Sequence, residues 1–556
     1  MKCQKKHRSV AIISALFFLF TSVFVFPAPD WPQTVAEESG YKATSTYSEV
    51  MSFIKKLQSL SPFLRVESLC TSTEGRDVPL MIVGNPVPAS PASLKFDHRA
   101  VVYIQANIHA GEVEGKEASL MLARDILSPE KHPFLDNLIL LLAPVFNADG
   151  NEKISPENRR NQVGPEQGVG VRYNGQNLDL NRDGMKLESP ELRGLVKNVL
   201  LRWDPVLVVD CHTTNGSYHE EPVTYSWPLN PNGSRPIIAY MRDKMMPAIQ
   251  KILLEKYQAL SIPYGNFVDF NNPEKGWATF GHQARYVTNY IGLRNRLSIL
   301  NENYAYADYR TRVLGCANFL WAILDYCCTH KEEILTSAKE ADLEASTRGQ
   351  DLSTDASFAV EFNAQPLAQP ITVRGWEMEV IPRDGTWPLI KKTDKKRKYS
   401  LPYYADIVPQ RTIAFPKGYL IHIDDAAVIE NLHQHGIAVE RLTERATLEV
   451  ESFKITEIKG AERIYQGHRL NSVKGEYVKE QRDFPPGTYF VGTDQPLSNL
   501  AASLLEPESD DGLLVWNFFD RYIVPQWGRS HQVYPVHRLL NPARLVKTIV
   551  RSSQSD

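Results

Sequence analysis

Four short apolar runs restrict what this chain can fold into more than any other feature. They are "AVVYIQAN" (100–107), "LILLLAPVF" (138–146), "PVLVVDC" (205–211) and "RLSILNE" (296–302). Each is short, continuous and rich in β-branched or aliphatic residues, the pattern of a strand buried on both faces. Between them lie stretches with helical periodicity: "GKEASLMLARDIL", "PELRGLVKNVLLRW" and "IAYMRDKMMPAIQKILLEKY". Buried runs alternating with helices predict an α/β fold, a mainly parallel or mixed sheet flanked by helices. Ahead of it, "TYSEVMSFIKKLQSLSP" predicts an amphipathic helix, and "RVESLCTS" and "DVPLMIVG" predict two strands joined by a Glu74-Gly75-Arg76 turn.

The pattern changes twice along the 556 residues. Near "KEEILTSAKEADLEAS" it turns polar, predicting a connecting helix and linker over 336–355 after a first domain at 42–335. Beyond it, shorter alternating segments such as "ITVRGWEMEVI", "ATLEVESFKITEI" and "GTYFVGT" predict a second, β-rich C-terminal domain at 356–556, with one strand-helix-strand unit in "GYLIHIDDAAVIENLHQHGIAVERL". At the other end, Lys2, Lys5, Lys6, His7 and Arg8 precede "VAIISALFFLFTSVFVF". A basic start and an apolar stretch of that length predict a signal peptide over 1–29, and hence export to a periplasmic or extracellular location, with an uncleaved N-terminal membrane anchor as the alternative.

The net charge of -3 supplies no long-range positive field, which argues against a nucleic-acid partner. The basic run "KKTDKKRK" (391–398) is read as a solvated loop. Six cysteines, one of them Cys3 within the export segment, make no disulfide scaffold. Cys316 and Cys327, eleven residues apart on one expected helix, stand roughly 16 Å apart and cannot bridge.

In open α/β sheets ligands gather at the carboxyl ends of the strands, and chemistry-bearing residues follow all four runs. His109 and Glu112 follow the first, "NADGNE" the second and His212 the third, and Glu302 ends the fourth. Two imidazoles and one carboxylate suit a catalytic Zn²⁺ with one position left for water. Such a site needs a separate carboxylate to take the water's proton and pass it to the leaving group, and Glu302 is the candidate. Between the half-sites, "NRRNQ" carries Arg159 and Arg160, and "NLDLNRDG" carries Asp179, Asn181 and Arg182. A guanidinium there can hold a substrate carboxylate or stabilise a tetrahedral oxyanion.

With "HAGE", "NADGNE", "RRNQ", "LDLNRD", "DCHTTNG" and "LSILNENYAY" in this order, the chain resembles the zinc carboxypeptidases, metallopeptidases related to carboxypeptidase A, over roughly residues 42–335. The resemblance implies one zinc ion on His109, Glu112 and His212, with Glu302 as general base and acid. It further implies that Asn181 and Arg182 hold the substrate's terminal carboxylate, that Arg160 polarises the scissile carbonyl and that Asp179 orients the first histidine. For the mobile tyrosine of that family, Tyr290 is preferred over Tyr286. Where the family often has an arginine between the first His and Glu, this chain has Ala110 and Gly111. The ending "TDQPLSNLAASLLEPESDDGLLVWNFFDRY" is similar to the C-terminal region of large bacterial members.

The resulting expectation is an exported metallocarboxypeptidase acting on peptides with a free C-terminal carboxylate through a zinc-activated water. The alternatives are a zinc-dependent deacylase or amidase on acylamino acids or cell-wall peptides, and an inactive binding protein. The last is disfavoured by the presence of all three ligands and the base.

Overall fold

The computed structural model describes residues 30–129, 131–350, 356–383, 389–523 and 533–551. The expected export segment lies outside the described residues, as do 351–355 of the expected linker. Among the described residues no helix is long and apolar enough to cross a membrane.

The first ten strands are β1 (Leu64–Thr71), β2 (Asp77–Val83), β3 (Ala100–Ala106), β4 (Leu138–Ala143), β5 (Leu207–Thr214), β6 (Val223–Ser226), β7 (Ser261–Pro263), β8 (Asn266–Phe267), β9 (Trp277–Ala278) and β10 (Leu297–Tyr304). Eight of them form one mixed sheet in the order β1-β2-β4-β3-β5-β10-β6-β7. Its centre, β4-β3-β5-β10, is parallel. Every residue of β3, β4 and β5 is buried, as the continuous apolar runs predict.

The expected helices form as Tyr47–Leu60, Glu114–Leu127, Pro190–Trp203 and Arg235–Tyr257, the last two each with a π turn inside. Tyr47–Leu60 starts on a capping box between Thr46 and Glu49, which satisfies two orphan donors of its first turn. Glu114–Leu127 packs almost directly on the sheet. A Cβ at Gly115 would strike the Cβ of Cys211, so glycine at this position permits the approach.

The expected connecting helix runs from Lys331 to Gln350. After it come β11 (Ser357–Pro366), β12 (Ile371–Ile381), β13 (Leu389–Leu401), β14 (Tyr403–Ala414), β15 (Gly418–Ile421), β16 (Glu440–Leu442), β17 (Ala446–Gly460), β18 (Asn471–Phe484), β19 (Tyr489–Gly492), β20 (Val536–Leu539) and β21 (Lys547–Ile549). A seven-stranded antiparallel sheet, β18-β17-β20-β15-β19-β16-β21, dominates this part. Its strand-helix-strand unit appears as β15, the helix Ala426–Gln434 and β16.

The two parts of the chain are knit together. The sheet β11-β14-β9-β8 takes strands from both, and one hydrophobic core runs from Val50 to Val536.

One expectation is overturned here. The run Lys391–Lys398 is no loop but part of β13, paired with β12 in a two-stranded ribbon. A ribbon leaves long side chains solvated while the backbone pairs. The ammonium of Lys392 sits 4.3 Å from the Trp376 ring centroid, and Lys396 pairs with Glu220 at 2.5 Å. The cysteines Cys70, Cys211, Cys316, Cys327 and Cys328 are all free thiols.

Candidate metal centre and substrate cleft

His109 and Glu112 follow the carboxyl end of β3, and His212 lies on the neighbouring strand β5. All three are buried, and one ligand atom from each lies within 4.8 Å of the others. His212 Nδ1 is 2.9 Å from Glu112 Oε2 and 3.2 Å from His109 Nδ1; His109 Nδ1 is 3.2 Å from Glu112 Oε1.

The outer ring nitrogens decide the chemistry. His109 Nε2 meets Asp179 Oδ1 at 3.0 Å, and His212 Nε2 meets Asp210 Oδ2 at 2.8 Å. A carboxylate acceptor fixes the proton on each Nε2, which turns two Nδ1 lone pairs and a carboxylate oxygen toward one another. Three Lewis bases facing across about 3 Å require a cation between them, and His₂Glu is a donor set of catalytic zinc. The electrostatics agree. Burial alone would lower the His212 pKa, yet Asp210 and Glu112 hold it well above the usual imidazole range. Burial would raise Glu112, yet His109 and Arg159 hold it well below the usual carboxylate range.

Asp210 was not singled out in the sequence, although strand periodicity offered the signal. Residues i and i+2 share a face, so an aspartate two before His212 on the same strand reaches the same side.

Two of the ligands, His109 and Glu112, open on a cavity of about 390 Å³. Arg159, Arg172, Asn181, Arg182, Tyr286 and Glu302 line it with them. Glu302 stands on β10 in register with His212 on β5. It is partly exposed to the cleft, and its Oε2 is buried with no hydrogen-bond partner. Burial, with Glu112 adding to it against the pull of His212, raises its pKa to about 8.

Arg160 does not reach the cleft. Its side chain is 75% exposed and pairs with Glu157. Its neighbour Arg159, in a left-handed conformation with φ 49°, turns inward instead. It donates to Glu112 Oε1 at 2.9 Å, to the Thr213 carbonyl at 3.0 Å and to Gln162 Oε1 at 2.7 Å. Gly111 makes room for it, since a Cβ there would lie 2.6 Å from Arg159 Cδ. The position after Ala110 is thus empty of side chain because an arginine from another loop crosses it.

Arg172, also not singled out in the sequence, donates to Asp179 Oδ2 at 2.7 Å and lies 3.8 Å from Glu112 Oε1. Asn181 and Arg182 come to the cleft together. Asn181 Oδ1 accepts from the Val287 amide at 2.9 Å, and the Arg182 guanidinium lies 4.4 Å from the centroid of Tyr286.

Tyr290 is fully buried, with its hydroxyl 2.8 Å from His435 Nδ1 and accepting from Arg294 at 3.2 Å. It faces the C-terminal part of the chain, while Tyr286, at the start of the helix Val287–Leu293, lines the cavity. The sequence could not separate two tyrosines four residues apart when the first helical turn falls between them.

The zinc carboxypeptidase (peptidase M14) family profile matches residues 50–212, a span that holds the three ligands but ends before Glu302. Carboxypeptidase 2 of Trichophyton rubrum is 21% identical over 562 residues, covering 96% of this chain and 94% of that protein. Carboxypeptidase 2 of Trichophyton equinum is 22% identical, covering 84% and 81%. Among solved structures, a metallo-carboxypeptidase from Burkholderia cenocepacia aligns with a TM-score of 0.36 at 18% identity, over 51% of this chain and 70% of that one. The segment 50–212 thus matches the zinc carboxypeptidase family, and over nearly its whole length the chain is similar to carboxypeptidases. It is a zinc hydrolase, with His109, Glu112 and His212 as its metal-binding group.

Proposed function

We propose that this metallocarboxypeptidase is exported and removes the C-terminal residue of peptides, with the catalytic unit at 42–335, a linker at 336–355 and the β-rich unit at 356–556. The observation that carries the reading is the Asn181 and Arg182 pair, backed by Tyr286, in the same cavity as the ligands His109 and Glu112. A planar guanidinium beside an amide is a carboxylate receptor.

Zinc, when bound, supplies a Lewis acid that acidifies water and polarises a carbonyl. The residues of the chain divide the remaining work. Glu302 takes the proton of the attacking water at its unpartnered Oε2 and delivers it to the departing amine. Arg159, rather than Arg160, stands where an oxyanion forms beside Glu112. Arg172 and His109 hold Asp179 ionised, and Asp179 in turn orients His109. Tyr286, rather than Tyr290, backs the Arg182 guanidinium that receives the substrate carboxylate. Export is supported by the basic residues and apolar run at the N-terminus.

The test is hydrolysis by the zinc-loaded protein of matched peptides with free and amidated C-termini. Release of single residues from the free peptides alone supports the reading. Equal cleavage of both, or hydrolysis of acylamino acids without peptides, replaces it with the deacylase. Protein recovered outside the cytoplasm with an N-terminus beyond residue 29 supports export; a wholly cytoplasmic protein refutes it.

A further inference from the structure

The carboxylate subsite has two walls, and neither is held by the peptidase sheet alone. One is the short segment Asp179–Arg182; the other is the segment around Arg285 and Tyr286. They meet through the Asn181 bond to the Val287 amide and the stacking of Arg182 on Tyr286. Behind each wall stands a residue from the β-rich part of the chain. Gln466 Oε1 accepts from the backbone N–H of Asp179 at 2.8 Å. Asp511 Oδ2 accepts from the backbone N–H of Arg285 at 2.5 Å, and its carboxylate pairs with the Arg285 guanidinium at 3.0 Å.

These two supports form one unit. Gln466 sits in the tight turn Tyr465–His468, closed by reciprocal backbone bonds of 2.8 and 3.0 Å between its ends. Both central residues have positive φ, 51° at Gln466 and 83° at Gly467, the signature of a type I′ turn. Glycine is at home there, but glutamine is not, so the conformation is kept at a cost that its side-chain bond offsets. Tyr465 stacks on Trp516 with centroids 6.3 Å apart. The Arg285 guanidinium lies 5.4 Å from Tyr465 and 5.0 Å from Trp516, and the Trp516 indole donates to Asp511 Oδ1 at 2.9 Å. His468 completes the turn by binding Glu188 at 2.8 Å.

We infer that the Tyr465–His468 turn, with Asp511, is a brace that sets the distance between the two walls of the carboxylate subsite, and that Gln466 is a positioning residue for substrate binding. The inference rests on the carboxypeptidase reading, because it needs Asn181 and Arg182 to hold the carboxylate of the substrate. Gln466 does not line the cavity, so the loss of its acceptor reaches the subsite through the backbone of Asp179.

The experiment compares the full zinc-loaded chain with Gln466→Gly, which relaxes the turn while deleting the acceptor, and with Gln466→Glu, which keeps an acceptor at the same reach. With a free-terminus peptide, Gln466→Gly should raise KM about tenfold and leave kcat within about threefold. Zinc content should stay at one per chain, and Gln466→Glu should restore KM. The proposal is overturned by an unchanged KM, by parallel losses of kcat, zinc and thermal stability, or by a Gln466→Glu variant as impaired as Gln466→Gly. Amidated peptide with the wild type separates the two claims. If the wild type ignores the terminus, the carboxypeptidase reading falls and takes the brace with it; if it discriminates and Gln466→Gly binds normally, only the brace falls.

Discussion

Glu302 on β10 stands directly opposite His212 on β5 in a parallel pairing that runs without a break from Leu297 and Leu207 to Tyr304 and Thr214. Parallel partners present their side chains to the same face of the sheet, so one register delivers both a metal ligand and a base to the same cleft. Glu302→Gln keeps the shape and loses the proton acceptor. We expect kcat to fall by roughly 10²- to 10⁴-fold with zinc content unchanged. Steady-state kinetics with metal analysis checks this, and a variant of near-normal kcat would remove Glu302 from the mechanism.

Asp210 should matter to the metal without touching it. Its bond to His212 Nε2 fixes the tautomer that presents Nδ1, and an asparagine could supply its amide N–H there instead. Asp210→Asn is expected to weaken zinc affinity by about 10- to 100-fold, read by competition with a chromogenic chelator. Unaltered affinity would mean that the tautomer is fixed by the metal alone.

The two adjacent arginines should separate cleanly. Arg160→Ala, on an exposed side chain paired with Glu157, should leave kcat/KM within about twofold. Arg159→Ala, which empties the space above Gly111 and beside Glu112, should lower it by about 10²-fold or more. The reverse ranking would restore Arg160 to the oxyanion.

Tyr290 and Tyr286 make an analogous pair. Tyr290→Phe leaves His435 Nδ1 and an Arg294 N–H short of a partner in the buried seam, which should cost about 1–3 kcal/mol in denaturant unfolding with KM unchanged. Tyr286→Ala removes the ring beneath Arg182 and should raise KM with little loss of stability. A Tyr290→Phe enzyme with a raised KM would return that residue to the cleft.

Glu191 gives the fold a pH dependence away from the metal. It is buried in the first turn of the helix Pro190–Gly194, its Oε2 accepts from Asn174 at 3.1 Å, and its Oε1 has no partner. Burial raises its pKa to about 7. The folded value lies above the unfolded one, so the stabilisation is complete below about pH 4.5 and is lost as pH rises through 7. The two values differ enough to make the loss as much as about 3 kcal/mol. Unfolding free energies measured from pH 5 to 8 should show this decline in the wild type and a shallower one in Glu191→Gln. Parallel profiles would assign the slope to other groups.

Much of the fold was legible because burial leaves a local record. A strand covered on both faces opens on a continuous apolar run, and β3, β4, β5 and β10 announce themselves in that way before their polar residues arrive at the carboxyl ends. The three ligands and Glu302 were legible because they follow or end those strands. The basic run of β13 misled because a solvated ribbon and a solvated loop have the same composition; only its pairing with β12 separates them.

The sequence by itself determined the sheet, its helices and the order in which ligands and base arrive, since each depends on residues near one another in the chain. Tertiary structure decided which of two neighbouring arginines turns inward, which of two tyrosines reaches the cleft, and what the β-rich part does for the site. Those choices rest on contacts across long separations: Arg159 over Gly111, Tyr290 against His435, and Gln466 on Asp179. Adjacent residues of one chemical type are equivalent in a sequence. Only the backbone path and the space left by distant neighbours make them different.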